Sequence, residues 1–161
     1  MNSRKKFIAQ SSILALGGLA LQSFNTKNFS KFNIGANDTI NIGVIGIKGM
    51  GWSNTLSMLK IPGIQLMALC DVDQTVLDDR FAELAKKNID TGRINRYNDY
   101  RKLLENKDVD AVIIGTPDHW HALMMIDAVK AGKDVYVEKP VGNSIEECRA
   151  MVAAQKKYNR I

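Results

Sequence analysis

From Thr39 onward, short apolar runs alternate with amphipathic stretches of helical period, and that alternation points to strand–helix–strand units arranged around a parallel sheet. Residues 40–45 read as the first strand and 51–60 as the helix after it, which stops near Pro62-Gly63. Residues 64–70 form the second strand. The second helix spans 75–87, with Val76, Leu77, Phe81, Leu84 and Ala85 on one side at helical spacing. A weaker third strand is expected over 93–97, then a short helix over 100–105 with Asp99 as its cap. The clearest strand is 109–115, whose unbroken Ala111-Val112-Ile113-Ile114 run suits a central position covered on both faces. A helix over 122–131 closed by Gly132 leads to a strand over 134–137. The last helix starts at Ile145, opened by Ser144 with Glu147 three residues on, a capping box. Right-handed crossovers then leave an α/β, doubly wound parallel sheet as the expected fold.

The chain's 161 residues accommodate one such domain and a leader. Its formal charge of +5 is uneven: Arg4, Lys5, Lys6, Lys27 and Lys31 all precede the first acid, Asp38, and from there the 17 acids meet 17 bases. A neutral folded part lacks the clustered cations that nucleic acid requires, so no nucleic-acid partner is expected. Ser3-Arg4-Lys5-Lys6-Phe7-Ile8 followed by an apolar run through Leu21 has the layout of an export signal, too short and too rich in Gly and Ser for a membrane span. It resembles a twin-arginine signal with Lys5 in place of the second arginine; a Sec or lipoprotein leader and a plain amphipathic tail are the alternatives. Residues 1–37 are therefore expected to be an export signal and linker, and 38–161 the folded domain, in an exported, periplasmic protein. Cys70 ends an apolar run and reads as a buried thiol.

Strand one runs directly into Gly46-Ile47-Lys48-Gly49-Met50-Gly51. A glycine turn between a strand and a helix suits a dinucleotide: Gly46 for the tight turn, Gly51 for close packing of helix on strand, and the helix N-terminus for the pyrophosphate. Lys48 stands where the middle glycine of such a turn usually lies. The phosphates are then expected to approach at Gly49 or to meet the Lys48 side chain. Asp71 ends strand two about 20 residues after the turn, where a carboxylate accepts hydrogen bonds from ribose hydroxyls and repels a 2′-phosphate. NAD is accordingly favoured over NADP in a Rossmann-type domain.

Two further segments fall at carboxyl ends of strands, the edge at which open α/β sheets bind ligands: Thr116-Pro117-Asp118-His119-Trp120-His121 and Glu138-Lys139-Pro140. With the intervening Gly132-Lys133-Asp134-Val135, they make the sequence from Asn41 onward resemble the Gfo/Idh/MocA family of dehydrogenases. The resemblance implies that Lys139 is the catalytic residue, lying beside the nicotinamide and the reacting carbon of a sugar or polyol. It also implies that Thr116, Pro117, His121 and Glu138 line the cofactor with the glycine turn (Gly46, Ile47, Lys48, Gly49, Met50, Gly51) and Asp71. Asp118 replaces the more usual Asn of the family segment. His119 reads as a structural or rim residue and Trp120 as a packing residue. The two histidines, two residues apart with no accompanying carboxylate or thiolate cluster, give no metal site.

In the family an α/β substrate domain follows and supplies a second acid/base group. The resemblance thus implies a chain that stops before that domain, and a homo-oligomer when completed by it. Three functions follow: a sugar or polyol oxidoreductase, an NAD-dependent glycosidase that works by transient oxidation, or a noncatalytic NAD-binding fragment.

Overall fold

The structure, a computed structural model, describes residues 39–161. The leader expected over 1–37 lies outside the described residues. Five parallel strands form one sheet in the order β3-β2-β1-β4-β5: β1 Ile40–Ile45, β2 Ile64–Cys70, β3 Asn95–Tyr97, β4 Ala111–Ile114 and β5 Asp134–Val137. The helices are α1 Met50–Met58, α2 Gln74–Lys86, α3 Tyr100–Leu104, α4 His121–Lys130 and α5 Ile145–Tyr158, with a 3-10 turn at Asp118–Trp120. The strand order reverses direction at β1, which has β2 on one side and β4 on the other. This is the doubly wound arrangement expected from the sequence.

Side chains alternate between the two sheet faces, with the alternation reset in β2 by the register shift opposite Ile42/Gly43, and this divides the core in two. Ile42, Val44, Leu66, Leu69 and Ile113 pack with Trp52 of α1 and Val76, Leu77, Phe81 and Leu84 of α2. Ile45, Ala68, Cys70, Val112 and Ile114 pack on the other side with Leu103 and Leu104 of α3 and Met124 and Ala128 of α4. Each fully buried Leu, Ile or Val contributes about 1.5–3 kcal/mol. An exposed ion pair such as Arg96–Asp78 adds about 1 kcal/mol at most, so apolar burial on the two sheet faces holds the fold together.

Local chemistry sets the helix boundaries. The Asp73 carboxylate accepts from Thr75 N–H at the start of α2, and that of Asp99 from Arg101 N–H at the start of α3. At α5 the Ser144 hydroxyl accepts from Glu147 N–H at 3.2 Å, but Glu147 Oε2 reaches back one residue further than a capping box requires and accepts from Asn143 N–H at 2.6 Å. The third strand is shorter than the expected 93–97. The Asp90 side chain accepts from Gly92 N–H and the Thr91 carbonyl from Ile94 N–H, holding the chain in turns up to Ile94. Lys133, 7% exposed, donates from Nζ to the carbonyls of Asn106 and Val109 at 2.7 Å each, pinning the connection into β4. No helix among the described residues is long and apolar enough to cross a membrane.

Candidate functional site: the carboxyl edge of the sheet

The segments leaving β1, β2, β4 and β5 meet at one edge of the sheet. Gly46, the first residue beyond β1, has φ +80°, and a Cβ there would lie 2.7 Å from Thr116 N. Gly51, buried in the first turn of α1, has no room for a side chain, because its Cβ would collide with the Gly46 carbonyl. Gly115 is crowded in turn by the Gly51 backbone. These three glycines press the β1–α1 turn against the β4 turn. Nothing lies within 4 Å of a Cβ built on Gly49, leaving open space at the α1 N-terminus. That cradle, with helix N–H groups at its rim, suits a pyrophosphate.

The carboxylate of Asp71 caps this turn. Its Oδ2 accepts from Ile47 N–H at 3.0 Å and its Oδ1 from Asp73 N–H at 3.1 Å. Each oxygen keeps lone-pair capacity for a further donor such as a ribose hydroxyl. The carbonyls of the turn are held from α2: Arg80 donates from Nε to Ile47 O at 2.9 Å and from Nη2 to Lys48 O at 2.7 Å, while Nη1 pairs with Glu83 at 3.1 Å. Trp52, whose indole N–H donates to the same Glu83 oxygen, lies 5.0 Å beneath the guanidinium. The side chain of Lys48 is exposed, as is that of Met50. Arg80 escaped sequence reading because a lone arginine on a charged helix face carries no local signal.

Beyond β5, Glu138 is 8% exposed and fully engaged. It accepts from Asn54 Nδ2 at 2.6 Å, from Lys139 N–H at 3.1 Å and from the Tyr136 hydroxyl at 3.3 Å. These donors hold its carboxyl below the usual carboxylate range, the Asn54 amide foremost, with burial acting the other way. Glu138 is thus an anchored anion that fixes the adjoining loop. Lys139 is exposed, and its peptide bond to Pro140 is cis. Asn54 is a second residue that sequence reading missed.

In the β4 segment, Pro117 is exposed and Thr116 half-buried, with its hydroxyl 3.6 Å from Met124 Sδ. His121 is 1% exposed; its Nδ1 lies 2.8 Å from Pro140 O and its Nε2 2.8 Å from Thr116 O. Both ring nitrogens therefore face the chain's own carbonyls, and His121 reaches a ribose only by giving one of them up. His119 is exposed at the rim. Trp120, read from sequence as a packing residue, is 40% exposed and tilts against the His119 ring at 5.9 Å, because the 3-10 turn swings it away from the core.

Residues 40–161 match the family described as "Oxidoreductase family, NAD-binding Rossmann fold". The chain is 38% identical over 117 residues to a glycosyl hydrolase family 109 protein of Shewanella putrefaciens, covering 71% of this chain and 26% of that protein. Among solved structures it is similar to scyllo-inositol dehydrogenase from Lactobacillus casei, whose structure contains NAD(H) and scyllo-inositol. That likeness has a TM-score of 0.64 and 30% identity across 75% of this chain and 34% of the other. It is also similar to myo-inositol 2-dehydrogenase from Lactobacillus plantarum, with a TM-score of 0.65 and 29% identity across 76% of this chain and 35% of the other. The chain spans 26% of the length of the curated relative and about a third of each solved one. Since the family match runs through the whole described fold, the chain belongs to the Gfo/Idh/MocA oxidoreductases, and residues 40–161 form the NAD-binding Rossmann domain of that family.

Proposed function

We propose that this chain is the cofactor-binding part of an oxidoreductase that passes a hydride from a sugar or polyol hydroxyl-bearing carbon to NAD, with Lys139 at the reacting centre. The observation that carries the reading is the convergence at one sheet edge of the glycine cradle, the Asp71 carboxylate, the Thr116-Pro117 turn and the exposed Lys139. Bound NAD supplies the hydride acceptor. Gly49, Met50 and Gly51 offer backbone N–H groups to the pyrophosphate, with open space at Gly49 and the Lys48 ammonium beside them. Asp71 accepts from the ribose hydroxyls and repels a 2′-phosphate, which favours NAD over NADP. Thr116, Pro117 and His121 form the wall between the two turns. Lys139 hydrogen-bonds the substrate hydroxyl through Nζ, stabilises the developing alkoxide and relays its proton. Glu138, held by Asn54, keeps the lysine loop in place rather than moving a proton.

Calorimetric titration of the 161-residue chain with NAD and NADP tests the reading, with Asp71→Ala as control. Saturable NAD binding that is lost in the variant is the expected result. A folded chain that binds neither dinucleotide overturns it.

A second reading, an NAD-dependent glycosidase using transient oxidation at the same site, is favoured by the 38% identity to the glycosyl hydrolase family 109 protein. Release of sugar from a glycoside, dependent on NAD but without its net consumption, would separate the two. Export to the periplasm through a twin-arginine-type leader is supported by Arg4, Lys5 and Lys6 ahead of the apolar run. Cell fractionation of the chain with and without residues 1–37 tests it.

A further inference from the structure

Ile47, inside the glycine turn, has both of its backbone groups bound. Its N–H donates to Asp71 Oδ2 at 3.0 Å, and its carbonyl accepts from Arg80 Nε at 2.9 Å. The next carbonyl, that of Lys48, accepts from Arg80 Nη2 at 2.7 Å. One guanidinium therefore holds two successive peptides of the turn, and it is itself held from two more sides. Its Nη1 pairs with Glu83 Oε2 at 3.1 Å, the same oxygen accepts from Trp52 Nε1 at 2.8 Å, and the Trp52 ring lies 5.0 Å from the guanidinium carbon. An ordinary ion pair between neighbours on one helix face accounts for the Glu83 contact and for neither carbonyl.

A trans peptide is planar, with its C=O and N–H pointing in opposite directions. The Ile47 carbonyl shares its peptide with Lys48 N–H, and the Lys48 carbonyl shares its own with Gly49 N–H. Binding both carbonyls to Arg80 thus turns both N–H groups away from α2. Neither N–H has an acceptor among the described residues, and open space surrounds Gly49. Successive N–H groups turned to one side form a concavity that takes an anion. The two peptides flank Lys48, the residue that stands where such a turn usually has glycine, so Arg80 sets the backbone on both sides of that departure.

We propose that Arg80 is a positioning residue of the phosphate turn, whose hold on Ile47 O and Lys48 O keeps the Lys48 and Gly49 N–H groups aimed at the pyrophosphate oxygens of a dinucleotide. This role rests on the dinucleotide reading above; the clamp itself does not. Arg80 acts through the two peptides and not by touching phosphate. Its effect is confined to the ligand's pyrophosphate and leaves the adenosine end at Asp71 unchanged.

In the nitrogen-15-labelled full chain, Arg80 Nε–H is expected to exchange with water more slowly than that of exposed Arg101, whose Nε has no partner among the described residues. Equal exchange overturns the clamp. Adding ADP to the same sample is expected to move the Lys48 and Gly49 amide proton signals downfield, and adding adenosine is not. ADP binding that moves neither signal overturns the role. In calorimetric titrations, Arg80→Met is expected to bind NAD and ADP about tenfold more weakly than wild type with adenosine affinity unchanged, the loss of roughly one hydrogen bond to phosphate. Arg80→Gln, which keeps one donor, is expected to fall between them. Unchanged NAD and ADP affinity in a folded variant, or an equal loss for adenosine, overturns the role. If the folded wild-type chain binds none of the three ligands, the dinucleotide reading fails and takes the role with it; wild-type binding that is indifferent to Arg80 defeats this inference alone. Should neither variant fold, the amide shifts of the wild-type chain decide.

Discussion

Asn54 donates from Nδ2 to Glu138 Oε1 across 2.6 Å, joining the helix that follows the glycine turn to the loop that carries Lys139. The two residues are 84 positions apart, and this bond couples the phosphate-facing and nicotinamide-facing ends of the proposed site.

Asn54→Ala removes the main support of a nearly buried carboxylate and is expected to cost about 1.5–3 kcal/mol at pH 7, the range for a hydrogen bond to a charged group. The pH dependence follows from the depressed titration of Glu138. Its folded value lies below the ordinary 4.5, so its ionised form stabilises the fold above 4.5, and that contribution is lost as pH falls through the folded value. The gap between wild type and variant in urea denaturation is therefore expected to close below pH 4.5. A gap that persists in acid would show that the amide acts by packing alone.

Gly51 and Gly49 are two positions apart and predict unequal outcomes. A Cβ at Gly51 meets the Gly46 carbonyl, and relief would require moving α1 away from β1 and the β4 turn. Gly51→Ala is expected to lose about 3 kcal/mol or more, in the range of severe overpacking. Gly49 has open space around its Cβ, so Gly49→Ala is expected to lose less stability than Gly51→Ala. Chemical denaturation of both variants is the check. Equal losses would mean that the turn as a whole, rather than the α1–β4 contact, demands glycine.

Strand positions were legible because apolar runs of this kind have few other uses. β1, β2, β5 and the start of α5 fall at the expected residues, and the remaining boundaries move by a few residues where side chains or turns set them. The glycine turn and Asp71 were legible because their chemistry is local: a positive φ, a close approach, a carboxylate at a strand end. Asn54, Arg80 and Tyr136 were not, since each acts on a partner brought near only by the fold. The two-carbonyl environment of His121 likewise exists only once β4 and β5 lie side by side.

Lys133 tests how far a buried cation supports the sheet. Lys133→Met keeps the aliphatic stem but leaves the carbonyls of Asn106 and Val109 without their donor, and is expected to destabilise by about 1–3 kcal/mol. Burial pushes the ammonium below its ordinary 10.5, opposed by Asp110 and Asp108. Between the lowered value and 10.5 the unfolded chain holds more protons, so wild-type stability gains with pH in that window through this group. The wild-type advantage over Lys133→Met should therefore widen as pH approaches 10.5. A narrowing advantage would show that the charge itself, rather than the two hydrogen bonds, is what the site uses.

Cys70 gives the clearest pH signature. It is 2% exposed at the end of β2, and burial, reinforced by the charges of Asp71 and Asp99, pushes its thiol from 9.0 up to about 12. At pH 8 a thiol reagent is expected to modify half-buried Cys148 and to leave Cys70 untouched until denaturant is added. Above pH 9 the unfolded chain releases this proton while the folded chain keeps it. The thiol's contribution, fully present below 9, therefore declines by about 1.4 kcal/mol per pH unit toward 12. Other groups titrate in the same range, so the informative quantity is the difference between wild type and Cys70→Ala. In denaturant titrations from pH 8 to 11, wild type should lose ground to the variant with that slope. A parallel pair of curves would mean that the Cys70 thiolate is accommodated at the strand end beside Asp71.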